Sequence, residues 1–319
     1  MQVFKDAIEK NPSALDVHLL LGIAEFMDVR TRSAGEERVQ KVFEQSTQKE
    51  TFRVLAALGY LNLGVYYNKS GRTDEAISLF RKSLFWKADY FKALTLLGEL
   101  LDKKGQPNEA IALLKRAVAQ NPDDGDALNK LGNALYNGKR HKEALGTFQE
   151  LAKRFSNSPG THFRLGQMLS EIGNAEEACP AFEKAVLLDP TFKEGWQNLG
   201  NAYYQVGNIT DAIRAYRKLA SLDARNVFVL NNLGYLLYSQ GQLEEAIDFL
   251  KQAEGISPDN GKTLLRLGMA YEKQEGFKEA LKMYEKILRT DPDNVEAQKR
   301  MAVLSSMDLS RGGEAAEKE

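Results

Sequence analysis

Residues 193–226 read KEGWQNLGNAYYQVGNITDAIRAYRKLASLDARN, and the spacing of the large and small residues in this stretch decides the fold. Trp196, Leu199, Gly200 and Tyr203 fall at i, i+3, i+4 and i+7, which is one face of a helix. Ala212, Tyr216 and Leu219 draw a second such face, so the stretch predicts two helices. Gly200 and Ala212 are small enough to let the helices approach closely, while Trp196, Tyr203 and Tyr216 fill the space beside that contact. Gly207, between them, can take the left-handed conformation that stops the first helix.

The same spacing runs along the chain in both directions. Leu199-Gly200 stands in register with Leu63-Gly64, Leu97-Gly98, Leu131-Gly132, Leu165-Gly166, Leu233-Gly234 and Leu267-Gly268, each 34 residues after the last. With this glycine numbered position 8, position 20 is always alanine: Ala76, Ala110, Ala144, Ala178, Ala212, Ala246 and Ala280. Gly71, Gly105, Gly173, Gly207 and Gly241 recur at position 15. Pro122, Pro190, Pro258 and Pro292 recur at position 32, a junction where a missing N–H does no harm. These residues resemble the tetratricopeptide repeat, whose signature is W-x2-L-G-x2-Y, then A-x3-F, then P. The resemblance implies an all-α superhelical solenoid of antiparallel helix pairs.

Seven regular units then occupy residues 57–294. Residues 15–56 form an irregular repeat, because Gly22 lies 42 residues before Gly64; the eight extra residues are expected mainly around Arg30 to Gly35 and near Gln48 to Arg53. Phe4, Ala7 and Pro12 fit the end of a preceding unit, which makes residues 1–14 the second helix of a truncated repeat. Its apolar face is a candidate self-association surface. Residues 295–305 read as a capping helix with a wet outer face, and 306–319 as a polar, disordered tail.

Composition narrows the function. A net charge of −1 and a pI near 6.4 give no electrostatic footprint for nucleic acid or an anionic membrane. No apolar run approaches the roughly 18 to 20 residues that span a bilayer. The opening residues carry no basic region followed by an apolar core, so cytoplasmic is the default location, with the reservation that the chain starts in the middle of a repeat. One cysteine, Cys179, excludes an internal disulfide framework and a multi-cysteine metal site. Cys179 falls on a buried helix face and reads as an inert packed thiol, and Pro180 beside it is expected to bend its helix.

Candidate chemistry is sparse. Gly261-Lys262-Thr263 looks like the end of a phosphate-binding loop, but the upstream Gly255 is misplaced by one residue and no strand precedes it. His18 and His162 both occupy position 4, four units apart, and His141 lies in a turn, so the three share no metal. Asn68-Lys69-Ser70 and Asn208-Ile209-Thr210 match the glycosylation pattern where repeat turns are polar anyway. No Ser/His/Asp or Cys/His arrangement can be assembled. The reading is therefore a non-enzymatic protein with no cofactor and no metal.

The family resemblance implies that positions 2, 5, 6, 9, 12 and 13 of each first helix line a concave groove. In this chain they place Asn133, Phe163, Arg164, Gln197, Asn198, Asn201, Asn232 and Tyr235 there, with Tyr204, Phe228 and Tyr238. Carboxamides donate to and accept from an extended peptide, and tyrosines offer rigid apolar area at small entropic cost. In chaperone-binding members of the family, three successive repeats clamp two carboxylates; the matching positions here hold Gln197, Asn201, Asn232, Lys262 and Arg266, with Gln197 replacing a lysine. The expected partner is another protein, engaged through an extended or C-terminal peptide segment by an adaptor or scaffold. Two alternatives stand beside it: a self-assembling scaffold, and the substrate-targeting domain of a larger enzyme, since the asparagines resemble the grooves of nucleocytoplasmic O-GlcNAc glycosyltransferases. The polar stretch to Glu319 reads as a terminus and weighs against a catalytic domain beyond it.

Overall fold

The computed structural model describes residues 2–11, 14–28 and 30–316, and among them it is helical, with no strand. The chain divides into two compact units, Met1–Ser156 and Asn157–Glu319. The first holds α1 (Gln2–Lys10), α2 (Leu15–Phe26), α3 (Arg32–Gln45), α4 (Lys49–Lys69), α5 (Thr73–Trp86), α6 (Phe91–Lys103), α7 (Pro107–Gln120), α8 (Gly125–Asn137) and α9 (His141–Arg154). The second holds α10 (Pro159–Glu171), α11 (Ala175–Leu188), α12 (Lys193–Gln205), α13 (Ile209–Leu222), α14 (Val227–Ser239), α15 (Leu243–Ile256), α16 (Gly261–Lys273), α17 (Phe277–Thr290) and α18 (Val295–Ala316).

Within each unit successive helices pair antiparallel, and the position-8 glycine sets the pairing. A Cβ built on Gly64, Gly98, Gly132, Gly166, Gly200, Gly234 or Gly268 would lie 2.5 to 2.9 Å from the position-24 side chain of the same repeat: Phe80, Leu114, Phe148, Phe182, Tyr216, Leu250 or Tyr284. The glycine thus makes room for a large side chain on the second helix. All seven position-20 alanines are fully buried beside it. The position-15 glycines stop the first helices with φ between 74° and 82°.

Several expectations need correction. The eight extra residues fall at the second of the two expected places and not the first: α4 is 21 residues long where the regular first helix α6 has 13, and the extra length is helix, beginning at Lys49. Gly35, taken as part of an insertion, lies inside α3, where a Cβ would come within 2.5 Å of the Phe26 backbone and 2.6 Å of the Gly22 carbonyl. It marks a close helix crossing. At the other end, α18 continues to Ala316, so the backbone expected to be a tail from 306 is helical through that residue. A helix is also observed at Gln2–Lys10, but Pro12 and the side chain of Phe4, which carried the truncated-repeat register, lie outside the described residues. Residues 317–319 of the expected tail do as well. Pro180, expected to bend its helix, lies inside α11, which runs unbroken from Ala175 to Leu188.

Cys179 is 7% exposed, and burial pushes its thiol up from its ordinary pKa, with the Glu183 carboxylate adding to the effect. Among the described residues no group of three or more His, Cys, Asp or Glu could hold a metal, and no helix is long and apolar enough to cross a membrane.

Candidate functional site

In the second unit, α12, α14 and α16 present side chains to one pocket of about 320 Å³. Asn201 and Tyr204 come from α12, Asn232, Tyr235 and Leu236 from α14, Lys262 and Arg266 from α16, and Tyr216 of α13 reaches in beneath them. Each first helix contributes residues from its own positions 2 to 12, so the repeat itself brings side chains distant in sequence to one place.

The polar groups are held by specific bonds. The Tyr216 hydroxyl donates to Asn201 Oδ1 at 2.6 Å, which leaves the Asn201 amide nitrogen as a donor. Tyr216 is pushed up to about 12 by burial, so it stays a neutral donor throughout the physiological range. Arg266 donates from Nη1 to the Asn231 carbonyl at 2.8 Å and to Asn232 Oδ1 at 3.3 Å, again leaving an amide nitrogen to donate. Its guanidinium lies 4.6 Å from the centre of the Tyr235 ring, a cation–π contact. Behind it, the buried Asn231 donates to Thr263 Oγ1 at 2.7 Å, tying α14 to α16.

The electrostatics are one-sided. Arg266 is half-buried, burial pulls its pKa down, and no ion pair among the described residues includes it or Lys262. No acidic residue lines the pocket. Lys262 sits in the first turn of α16, where the macrodipole is positive and a cation is disfavoured, and that turn holds no acidic residue. The pocket is therefore a concentration of donors and positive charge without a counter-charge.

Six of the residues picked out from the sequence meet here: Asn201, Tyr204, Asn232, Tyr235, Lys262 and Arg266. The others do not. Gln197 is on α12 but does not line the pocket. Asn198 turns back to donate to its own helix at the Glu194 carbonyl, 2.8 Å away, and Arg164 bonds Gln167 on its own helix at 3.1 Å. Phe163, expected to line the groove, is half-buried and packs its ring 4.8 Å from that of Phe192 and 5.8 Å from that of Phe182. Asn133 lies on α8, in the first unit. Tyr216 went the other way: its core position was legible, but the hydroxyl at the end of its ring orients Asn201.

Comparison with known proteins agrees with this architecture. Models of the tetratricopeptide repeat match residues 57–90, 95–160, 198–261 and 237–304, together well over half of the chain. Residues 160–227, which form the two antiparallel pairs α10 to α13, match a model of the bacterial transcriptional activator domain. Among solved structures, YrrB, a TPR protein with an unusual peptide-binding site, superposes with a TM-score of 0.53 at 19% identity, covering 58% of this chain and 96% of its own. MamA superposes with a TM-score of 0.50 at 23% identity, covering 54% of this chain and 94% of its own. At these identities the likeness is one of fold. No curated protein is matched by the sequence.

Proposed function

Because this chain belongs to the tetratricopeptide-repeat family, and so to a class of protein-interaction scaffolds, we propose that it holds a partner protein by an acidic or carboxyl-terminal peptide segment, bound in the pocket of α12, α14 and α16. One observation carries this reading: Arg266 is half-buried on the pocket wall, with no carboxylate partner among the described residues. Taking a charge out of water costs free energy that a counter-charge restores, and an unpaired guanidinium beside open space is a place for an anion to bind. The planar fork suits a carboxylate, which accepts two parallel N–H bonds. Lys262 and the two asparagine amides supply further donors, while the tyrosine rings cover the apolar part of a peptide.

The test is fluorescence anisotropy on the full chain with labelled acidic peptides that end in a free or an amidated carboxyl group. A charge-assisted hydrogen bond contributes roughly 1.5 to 3 kcal/mol, so replacing Lys262 and Arg266 together by alanine is expected to weaken binding about a hundredfold or more. Arg266→Met, which keeps a long side chain over Tyr235, is expected to lose most of that affinity with an unchanged helical spectrum. Equal affinity for both peptide forms in the native protein, together with no loss in the double variant, would reject the reading.

A further inference from the structure

A second and larger cavity, of about 770 Å³, opens on another face of α12, between α11 and α13. Its walls include Pro180, Glu183 and Leu187 of α11, Trp196 and Tyr203 of α12, and Asp211 of α13, with Lys184 of α11 and Arg214 of α13 as the two basic residues on its lining. The repeat supplies its own control for what belongs there. Three neighbouring pairs of second helices are strapped by an ion pair between position 25 of one repeat and position 19 of the next: Arg81 to Glu109 at 3.0 Å, Lys115 to Glu143 at 3.0 Å and Arg217 to Glu245 at 2.6 Å. The same two positions, 28 residues apart like the others, hold Glu183 and Asp211. Where those rungs have a cation facing an anion, this one has two carboxylates: Asp211 is bonded by Arg214 and Asn208 of its own repeat, while Glu183 has no cation bonded to it among the described residues.

The surroundings suit a cation that arrives from outside. The Tyr203 hydroxyl donates to Glu183, and burial together with the Glu183 and Asp211 charges pushes its pKa up. Asp211 keeps a side-chain exposure of 25%, with Arg214 of its own helix bonded to it; that arginine is 78% exposed and sits at the rim. The Trp196 indole N–H is taken by the Pro190 carbonyl at 3.0 Å, so the ring offers the cavity apolar surface and π-face without an unmet donor. Leu187, 72% exposed, adds apolar surface that one small amine could not cover. Carboxylates beside aromatic faces recognise guanidinium and ammonium groups.

We propose that this cavity is a second docking site, separate from the carboxylate pocket, for a protein segment that inserts an arginine or lysine between Glu183 and Asp211 and lays an adjacent apolar side chain on Trp196 and Leu187. The incoming cation supplies Glu183 with the partner that position 25 provides from within in the three strapped rungs.

The experiment pans a random displayed-peptide library on the full chain, with counter-selection on Glu183→Arg, which supplies the missing cation from within. Peptides that discriminate between the two proteins are expected to carry a basic residue next to an apolar one. They should bind Glu183→Arg at least about tenfold more weakly and lose affinity as salt rises. Glu183→Gln, which removes only the charge, should weaken the same peptides, while Lys262→Ala with Arg266→Ala should leave them unchanged. Circular dichroism checks that each variant folds; if Glu183→Arg does not, Glu183→Gln and Asp211→Asn take its place. The proposal is overturned if no selected peptide discriminates, if the discriminating peptides lack a basic residue, or if Glu183→Gln binds them as well as the native chain does.

Discussion

Two repeats stop their first helix with the wrong residue, and correcting one of them should stabilise the chain by a calculable amount. Position 15 is left-handed in every regular repeat; five repeats place glycine there, but the third and seventh place Lys139 at φ 59° and Glu275 at φ 63°. Their glycines are displaced by one residue, to Gly138 and Gly276, where φ is −76° and −79° and any residue would serve the backbone. The turn is nonetheless closed by the same bond: Gly276 N–H reaches the Tyr271 carbonyl at 2.9 Å, as Asn208 N–H reaches that of Tyr203 at 2.9 Å. The packed helices impose the conformation, and the side chain at position 15 bears the strain. An L-residue in this region costs roughly 1 to 2 kcal/mol. Glycine gives back roughly 0.5 to 1 kcal/mol through the greater freedom of the unfolded chain. Copying the Gly207-Asn208 pair into positions 275 and 276, as Glu275→Gly with Gly276→Asn, should therefore gain about 1 kcal/mol, the asparagine adding a few tenths as N-cap of α17. The third repeat is less open to this swap, because a Cβ on Gly138 would stand 3.1 Å from Ile111 and 3.2 Å from the Ala134 carbonyl.

A repeat array is stabilised unit by unit and is poorly described by one melting temperature, so the assay is native-state hydrogen exchange resolved by peptide. About 1 kcal/mol is roughly a fivefold increase in protection across α16 and α17. Gly207→Ala is the reverse control: nothing lies within 4 Å of its Cβ position, so its cost is conformational alone and should lower protection across α12 and α13 by a similar factor. Unchanged protection in both variants would refute the reasoning, since the left-handed turn would then carry no measurable strain.

Two further outcomes bear on the carboxylate pocket. Tyr216→Phe keeps the ring that packs over Gly200 and removes the hydroxyl that fixes Asn201; it should cost about 1 kcal/mol of local stability and weaken an acidic peptide several-fold, measured by hydrogen exchange and anisotropy. Affinity for a peptide ending in a free carboxyl should be flat between pH 6 and about pH 9, because no histidine lines the pocket, arginine stays charged and Tyr216 titrates only near 12, and should fall as the peptide carboxyl protonates below about pH 4. A transition near neutral pH would point to a different ligand chemistry.

The register of the fold was legible because it is written in residues with one steric job. A glycine at position 8 is required by the side chain at position 24, and an alanine at position 20 by the helix it touches, so a 34-residue period in those types leaves little choice of architecture. The misreadings came from residues with two available jobs. Gly35 reads equally as a turn or as a close helix contact, and only the approach of the Phe26 backbone tells which. The other expected place held: Lys49 to Ala56 contains no glycine or proline to interrupt it, so the extra residues there lengthen a helix.

The pocket was legible only in part, for a related reason. Repeat position says which way a side chain leaves the helix, but not whether its polar atoms are already spent: Asn198 and Arg164 bond within their own helices, while Asn201 and Asn232 keep an amide to donate. What distinguishes a surface built to bind is a group the fold leaves without its complement, and that shows only when the repeats are compared with one another in three dimensions. Arg266, on a first helix, has no carboxylate partner among the described residues, and Glu183, on a second helix, has no cation bonded to it where three other rungs pair a cation with an anion. The two faces of α12 then ask for opposite ligands. An acidic segment belongs on the side of Asn201 and a basic one on the side of Trp196, so one scaffold could hold two different partner segments without competition between them.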